Sequence, residues 1–319
     1  MALHPRVPKI GLALGSGSAR GWAHIGVLQA LNEAGITPDV VCGASIGALV
    51  GAAYTGGELP RFAQWVQGLS VRDVWSFMDF NLSGGMLKGE KLIEFWRRNF
   101  ADFDIEQAPL PFGAVATDLH SGAEVWLRHG SIADAVRASI ALPGLLTPVM
   151  HEGRWLVDGG LVNPVPASLA RAMGADLVIA VDLNADLLQR NLQPLGAAEV
   201  AAMAVDGASA GPLPQVPAAQ GWAQRWRNWR PGAASASAAP QPSMPALLDV
   251  VMNSVNIMQM RITRSRMAGD PPELVIAPRL AHLGLLDFHR GEEAIAQGYA
   301  AAQAALPALQ HFGWHAPGA

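Results

Sequence analysis

The residue best placed for nucleophilic chemistry is Ser45, in the segment GASIG at 43–47. This segment matches the pattern GxSxG and lies between a short apolar run and a helix-like stretch of small residues. A serine on a sharp turn from strand to helix needs small neighbours, here Gly43 and Gly47, because the backbone folds back tightly. Such a turn holds the serine hydroxyl clear of the sheet at the amino end of a helix. Because five common residues also match by chance, a nucleophilic role for Ser45 needs partners elsewhere in the chain.

A second candidate is the loop GSGSARG at 15–21, which follows the first apolar run. It begins like a dinucleotide-binding fingerprint, but Arg20 stands where that fingerprint requires glycine, and no acidic ribose ligand follows the second strand. A Walker loop is excluded because neither GKS nor GKT follows. Successive backbone amides beside a helix amino terminus would instead stabilise developing negative charge. The alternative is a glycine loop that only turns the chain.

A nucleophilic serine also needs a base. Of the nine histidines, seven follow Ser45, and none of these lies in a glycine-rich loop after a clear strand. The segment VDGG at 157–160 does follow a strand, and Asp158 ends that strand. Gly159 and Gly160 permit close approach of another backbone, so the Asp158 carboxylate is placed to accept the serine proton directly, as one half of a dyad. The alternative role for Asp158 is to stabilise a turn.

These three segments need a parallel sheet to bring them together. Apolar runs at 10–14 and 40–42 are typical of buried strands, and a helical pattern at 23–34 joins them. Two strands linked by a helix imply a right-handed parallel crossover, and continuous apolar runs suit a sheet covered on both faces. Adjacent parallel strands share one carboxyl edge, so the loop at 15–21 and Ser45 are expected side by side. Further strands are predicted at 112–117, 124–128 and 177–182.

The chain is expected to fold as one catalytic domain with an added surface segment. A catalytic core at 8–185 is followed by an Ala- and Pro-rich insertion or linker at 186–245. Periodic structure returns in 246–319 as a helix, a strand and a helix, which are expected to complete the same domain. The length of 319 residues alone suggests about two domains at roughly 150 residues each, and the insertion accounts for much of the excess.

Composition limits the function and the compartment. The chain is 50% hydrophobic and 15% charged, against a usual charged share of about 25%, which excludes disorder as the main state. The net charge of −4 lacks the basic excess of a nucleic-acid binder. Cys42 is the single cysteine, and neither a secretory signal nor an apolar run of about 20 residues is present. These features predict a cytoplasmic protein without a transmembrane helix.

One segment of the insertion, GWAQRWRNWRP at 221–231, has a pattern of its own. At about 100° per residue, Trp222, Trp226 and Trp229 share one helical face that is flanked by arginines. Indole and guanidinium groups settle at the interface of anionic lipids, which would suit peripheral contact with the inner face of the membrane. The alternatives are that this segment covers the active-site entrance or the core, or that it is loosely ordered.

Taken together, these segments resemble the patatin-like phospholipases. In chain order they read GSGSARGWAHIGVL, VVCGASIGALVGAAY and VDGGLVNPVP, and RASIALPGLLTPV before the aspartate is also similar to that family. The resemblance covers about residues 10–185. It implies a three-layer α/β/α fold with a mainly parallel central sheet, and a Ser and Asp dyad without histidine that hydrolyses acyl esters of lipids. It implies neither a metal nor a cofactor.

The resemblance assigns a role to each segment. Ser45 is the expected nucleophile and Asp158 the expected general base. An oxyanion site is expected at the backbone amides of Gly17, Ser18, Ala19 and Arg20, with supporting glycines at Gly15, Gly43, Gly47, Gly159 and Gly160. The family often has consecutive glycines where this chain has Ser16 and Ser18, a change that keeps the amides but restricts their angles.

Three other polar residues are not expected to take part in catalysis. We interpret His24 as a packing or hydrogen-bonding residue, Asp118 as a residue that stabilises the turn after its strand, and Arg137 as a helix-surface charge. The resulting hypothesis is a serine acyl hydrolase that acts on phospholipid, lysophospholipid or other lipid acyl esters. Two alternatives stay open, namely a patatin-like lipid-binding or regulatory protein with little turnover, and an acyltransferase that uses the same dyad.

Overall fold

The computed structural model describes residues 8–77, 89–100, 102–186, 247–309 and 312. The chain divides into two units, residues 1–191 with 247–319 and residues 192–246. The second unit lies outside the described residues, and so do Trp222, Trp226 and Trp229, whose lipid-facing helix stays a prediction. Among the residues that are described, no helix is both long and apolar enough to cross a membrane.

The described strands form one mixed sheet that is mainly parallel. They are β1 (Ile10–Leu14), β2 (Val40–Ala44), β3 (Phe112–Asp118), β4 (Glu124–Leu127), β5 (Val149–His151), β6 (Arg154–Asp158), β7 (Leu177–Val181) and β8 (Leu274–Ile276). Strands β3, β2, β1, β7 and β8 lie side by side in that order and run parallel. Strands β4 and β6 pair antiparallel with β3, and β5 pairs antiparallel with β6. The predicted α/β class is confirmed, whereas β5 has no counterpart among the predicted strands.

Helices cover both faces of this sheet. They are α1 (Ala23–Glu33), α2 (Ile46–Thr55), α3 (Leu59–Gln67), α4 (Val71–Ser76), α5 (Glu90–Asn99), α6 (Ile132–Ser139), α7 (Ala167–Ala172), α8 (Leu247–Gly269) and α9 (Gly291–Leu309). Along β1, Leu12 and Leu14 join the core with α1, α2, α6 and α9, whereas Ala13 joins the core with α7. Because successive side chains point to opposite faces, a strand covered on both faces must be apolar throughout. This is the three-layer α/β/α arrangement.

Strand β3 is the place where the two halves of the candidate site meet. One edge of β3 pairs with β4. The other edge pairs with β2 as far as Ala44, opposite Val115, and then with β6 from Asp158, opposite Ala116. Since β2 runs parallel and β6 antiparallel to β3, the carboxyl ends of β2 and β6 meet at this point. Ser45 follows β2 and Asp158 ends β6, so the register of the sheet brings these two residues together.

The C-terminal segment extends the same sheet and packs on the N-terminal helix. Strand β8 pairs with β7, and helix α9 crosses helix α1 with the two backbones very close together. A Cβ atom on Gly26 would lie 1.9 Å from Ile295 O, and one on Gly298 would lie 1.9 Å from Ala23 O. Only glycine at both positions allows the two helix backbones to touch. The elements after the insertion therefore belong to the same fold as those before it.

Candidate active site

The turn that carries Ser45 joins β2 to α2 and is strained. Ser45 has φ 56° and ψ −127°, a left-handed φ that residues other than glycine rarely adopt. The backbone folds back so tightly that a Cβ atom on Gly43 would lie 2.4 Å from the Ala48 backbone. A Cβ atom on Gly47 would lie 2.1 Å from Leu14 O. Glycine at these two positions is therefore what the turn requires.

Ser139, the last residue of α6, holds this turn against the sheet. Its Oγ accepts a hydrogen bond from Ser45 N at 2.9 Å and donates one to Val115 O at 2.6 Å. Ser139 is fully buried, so both bonds are shielded from water. Sequence reasoning missed this residue because nothing around it indicates a bond to a turn 94 residues away. Its place in the family-like segment RASIALPG was the one available signal.

The Ser45 hydroxyl donates to Asp158 where β2 and β6 meet. Ser45 Oγ lies 2.5 Å from Asp158 Oδ2, and the second carboxylate oxygen, Oδ1, accepts from Gly160 N at 2.7 Å. The chain after β6 passes very close to β3, since a Cβ atom on Gly159 would lie 2.0 Å from Val115 O. The structure therefore brings together the residues that the sequence predicts as nucleophile and base.

Burial governs the charge of the Asp158 carboxyl group. It is fully shielded from solvent, and desolvation raises its pKa to about 7, although hydrogen bonds from Ser45 and Gly160 oppose the shift. A general base works best when its pKa lies near the working pH. Asp158 is therefore a carboxyl group that exchanges its proton near neutral pH.

The loop at 15–21 lies beside Ser45, as the shared sheet edge predicts. Gly17 and Ser18 line a cavity together with Ser45. Neither of their backbone N–H groups has an acceptor within the described part of the chain. Two adjacent free amides next to a nucleophile can stabilise an oxyanion. Gly17 and Ser18 are thus the residues of this loop that offer donors to a reacting oxygen.

The other two predicted donors, Ala19 and Arg20, are engaged elsewhere. Ala19 N donates to Leu285 O at 3.1 Å, and Arg20 N donates to Gly17 O at 3.2 Å. The Arg20 side chain is buried, and its Nε donates to Leu283 O at 3.0 Å. The predicted set of four donors is therefore corrected to two, because folding has already used the amides of Ala19 and Arg20.

Two serines fasten the same loop to the C-terminal segment. Ser18 Oγ donates to Leu285 O at 2.6 Å, and Ser16 Oγ donates to Gln259 Oε1 at 3.1 Å. Glycine at either position would lack the hydroxyl that makes these bonds. Sequence reasoning did not predict them because the partners lie 267 and 243 residues away along the chain.

The histidine on α1 is a structural residue. His24 is fully buried, and its Nε2 donates to Gly15 O at 2.7 Å, at the start of the glycine loop. Burial lowers the pKa of His24 to about 4, so the imidazole is neutral at pH 7. Its predicted role as a hydrogen-bonding residue is confirmed.

The predictions for two other charged residues, Asp118 and Arg137, have different outcomes. Asp118 Oδ1 accepts hydrogen bonds from His120 N at 2.9 Å and Ser121 N at 3.0 Å, which confirms its role in the turn. Arg137 is only 8% exposed, and its Nη2 donates to Thr147 O at 3.0 Å. Its interpretation as a surface charge is wrong because this side of α6 packs against the segment before β5.

In the described ranges, no cluster of three or more His, Cys, Asp or Glu side chains could hold a metal ion.

Comparisons with known proteins show the family to which this chain belongs. The family model described as patatin-like phospholipase matches residues 12–171. The chain belongs to the patatin-like phospholipase family. An uncharacterized NTE family protein of Mycobacterium tuberculosis is 36% identical over 335 aligned residues, which cover 95% of this chain and 92% of that protein. Patatin-like phospholipase domain-containing protein 6 of Mus musculus is 39% identical over 183 residues, 55% of this chain and 13% of that protein.

Among solved structures, this chain is similar to VipD from Legionella pneumophila. The TM-score is 0.36 at 12% sequence identity, over 81% of this chain and 67% of the VipD chain. Membership in the family, shown by the family model and the mycobacterial relative, implies a lipid acyl hydrolase.

Beside the Ser45 turn, this member of the family has an apolar chamber. It encloses about 720 Å³ including its open mouth, and its walls include Ile46, Leu49 and Leu146. Ile46 directly follows Ser45, and Leu286 of the chamber directly follows Leu285 of the cavity that contains Ser45. Residues that are neighbours in the chain therefore line the two spaces.

Proposed function

We propose that this protein is a serine acyl hydrolase that cleaves phospholipid, lysophospholipid or other lipid acyl esters through an acyl-enzyme. The observation that carries the proposal is the 2.5 Å hydrogen bond from Ser45 Oγ to the buried Asp158 carboxylate, made on a strained turn. A serine becomes a nucleophile when an adjacent base takes its proton. The sheet register brings both residues together, and the Ser139 hydroxyl holds the turn that carries Ser45.

In the first half of the reaction, Ser45 Oγ attacks the ester carbonyl carbon while its proton passes to Asp158 Oδ2. The carbonyl oxygen gains negative charge and accepts hydrogen bonds from the amides of Gly17 and Ser18. The intermediate then collapses, the bond to the alcohol breaks, and the alcohol leaves with the proton from Asp158.

In the second half, water attacks the acyl-enzyme along the same path. The water proton passes to Asp158 as the new carbon–oxygen bond forms. The bond to Ser45 Oγ then breaks, Ser45 recovers the proton from Asp158, and the fatty acid is released. Each half therefore returns Asp158 to its carboxylate form.

The apolar chamber favours a lipid acyl group as the part of the substrate that binds there. Its walls offer almost no polar surface, and it begins at Ile46, next to the nucleophile. Burial of each methylene group contributes about 0.8 kcal/mol, so a long chain gains several kcal/mol in such a space. An ester whose chain occupies the chamber would present its carbonyl group to Ser45.

Fatty-acid release from lysophosphatidylcholine tests the proposal. We expect Ser45→Ala to abolish release, and Asp158→Asn to lower kcat by about 100- to 10,000-fold, the usual contribution of a general base. Ser254→Ala, which changes an exposed serine on α8, is the matched control and should keep full activity. The proposal would be contradicted by an active Asp158→Asn variant together with a single histidine variant that has lost activity.

A further inference from the structure

Helix α8 forms one wall of the cavity that contains Ser45. Four of its residues face this cavity: Met252, Val255, Asn256 and Gln259. Their spacing of three, four and seven residues places them on one helical face. The wall therefore combines two apolar side chains with two side-chain amides, in contrast to the apolar chamber next to it.

The amide of Asn256 differs from that of Gln259 in its hydrogen bonding. Gln259 Oε1 accepts from Ser16 Oγ at 3.1 Å, so this amide serves to fasten the glycine loop. Asn256 is 9% exposed, its Oδ1 is shielded from solvent, and no donor to that oxygen exists among the described residues. Buried polar atoms nearly always have a partner, and an unpaired one is unfavourable. Because Asn256 lines the cavity that contains Ser45, a substrate bound there can supply the donor that Asn256 Oδ1 lacks.

The two spaces beside Ser45 suit different ends of an ester. The chamber lined by Ile46 has apolar walls, and in the proposed function it takes the acyl chain. The alcohol part must then leave through the cavity that Asn256 lines, because this cavity also contains Ser45, Gly17 and Ser18. Asn256 is therefore placed to contact the leaving alcohol rather than the acyl chain.

We infer that Asn256 is a specificity-determining residue that binds a free hydroxyl group on the leaving alcohol. A hydroxyl both donates and accepts, so it satisfies the side-chain amide in either of its two orientations. An ester without this hydroxyl leaves the buried amide unpaired and is bound less well in the transition state. The inference rests on the proposed function, because it assigns the alcohol side of the Ser45 reaction.

Two esters of one fatty acid test this inference, 2-hydroxyethyl octanoate and ethyl octanoate, which differ in a single hydroxyl. The readout is the ratio of their kcat/KM values, in which a general loss of activity cancels. We expect the wild-type protein to favour the hydroxyethyl ester by about 5- to 150-fold, the range expected when a buried group loses its hydrogen bond. Asn256→Leu should bring the ratio close to one.

Asn253→Leu is the matched control, since it makes the same change at an exposed position one turn earlier on α8. It should keep the wild-type ratio. Thermal unfolding separates specificity from folding: removal of an unpaired buried amide should leave the melting temperature of Asn256→Leu unchanged or raised. A purely structural role would lower it.

A wild-type ratio near one, or an unchanged ratio in Asn256→Leu, would overturn the role of Asn256 while leaving Ser45-dependent hydrolysis in place. The first result needs no variant, so it remains decisive even if Asn256→Leu folds poorly. Failure of the proposed function looks different, because neither ester would then show hydrolysis that Ser45→Ala removes, and both conclusions would fall.

Discussion

At the scale of single residues, the proposed reactivity of Ser45 depends on one buried carboxyl group. Asp158 is shielded from solvent, and donors from Ser45 and Gly160 offset only part of its desolvation. Burial of a charge is unfavourable, yet a general base must be charged to accept a proton. The carboxylate that we propose as the base for Ser45 is therefore expected to lower the stability of the fold.

The first consequence is a pH dependence of turnover. Asp158 has a pKa raised by burial to about 7, so the fraction of enzyme with a charged base increases as the pH rises through 7. We expect kcat/KM on a p-nitrophenyl ester to increase about tenfold per pH unit below 7 and to level off above about 8. Initial rates between pH 5 and 9 measure this. A flat profile, or one that falls over this range, would contradict the role of Asp158 as base.

The second consequence is a pH dependence of stability. Because burial raises the pKa of Asp158 to about 7, the folded state binds more protons than the unfolded state between about pH 4 and 7. The stabilisation that comes from protonated Asp158 is fully present below about pH 4. It is lost as the pH rises from about 4 through 7, which lowers the free energy of unfolding by an amount on the order of 4 kcal/mol. Asp158→Asn lacks this titration. Its melting temperature relative to wild type should be higher at pH 8 than at pH 5, and a difference that is constant with pH would contradict the assignment.

The sequence predicts the residue types of the site better than their hydrogen bonds. Ser45 and Asp158 were candidates because each lies at the end of a strand in a glycine-rich segment, and the family resemblance assigned their roles. The structure places them together. The restriction of free amides to Gly17 and Ser18 could not be predicted. It depends on Leu285, a distant residue whose carbonyl group takes the next amide of the loop.

At the scale of elements, sheet register positions Ser45 and Asp158, and helix packing shapes the two cavities proposed to bind substrate. The strands with continuous apolar runs were predicted well, because burial on both faces leaves a clear pattern. The shared edge of β3 was not predicted, since pairing of β6 beyond the end of β2 depends on contacts between distant segments. The same limit applies to α8, whose sequence indicates a helix but not that its Asn256 face lines the cavity of Ser45.

From the apolar chamber we predict a preference for long acyl chains. A bulky residue in the wall of the chamber should remove this preference. Leu146 lines the chamber, and Trp at this position would fill part of it. We expect Leu146→Trp to lower the ratio of kcat/KM for palmitoyl over butyryl p-nitrophenyl ester by at least about tenfold. Leu119→Trp, at a side chain that is 49% exposed, is the control and should leave the ratio unchanged. An unchanged ratio in Leu146→Trp would show that the chain binds elsewhere.

At the scale of the whole molecule, segments on both sides of the insertion build one sheet and one site. The sequence predicts that residues after 246 complete the catalytic domain, and β8 indeed pairs with β7. It does not predict how closely the two parts meet. Helices α1 and α9 touch through Gly26 and Gly298, and a glycine inside a helix gives no sequence signal of its own about which backbone it approaches.

The contact between α1 and α9 should be sensitive to a single methyl group. A Cβ atom on Gly298 would lie 1.9 Å from Ala23 O, so Gly298→Ala must push the two helices apart. We expect a loss of about 1–3 kcal/mol, the usual range for overpacking, and a melting temperature lower by several degrees. Gly269→Ala on α8 is the control, because a Cβ atom there meets nothing within 4 Å. Equal melting temperatures for the two variants would contradict the close crossing.

The most direct test of the proposed chemistry is covalent capture of the nucleophile. A fluorophosphonate reacts with an activated serine, and mass spectrometry of the digested protein locates the adduct. We expect wild-type protein to carry one adduct on the peptide that contains Ser45, and Ser45→Ala to carry none while it still unfolds cooperatively. An adduct on another residue of the wild-type protein, or continued labelling of Ser45→Ala, would contradict the assignment of Ser45 as the nucleophile.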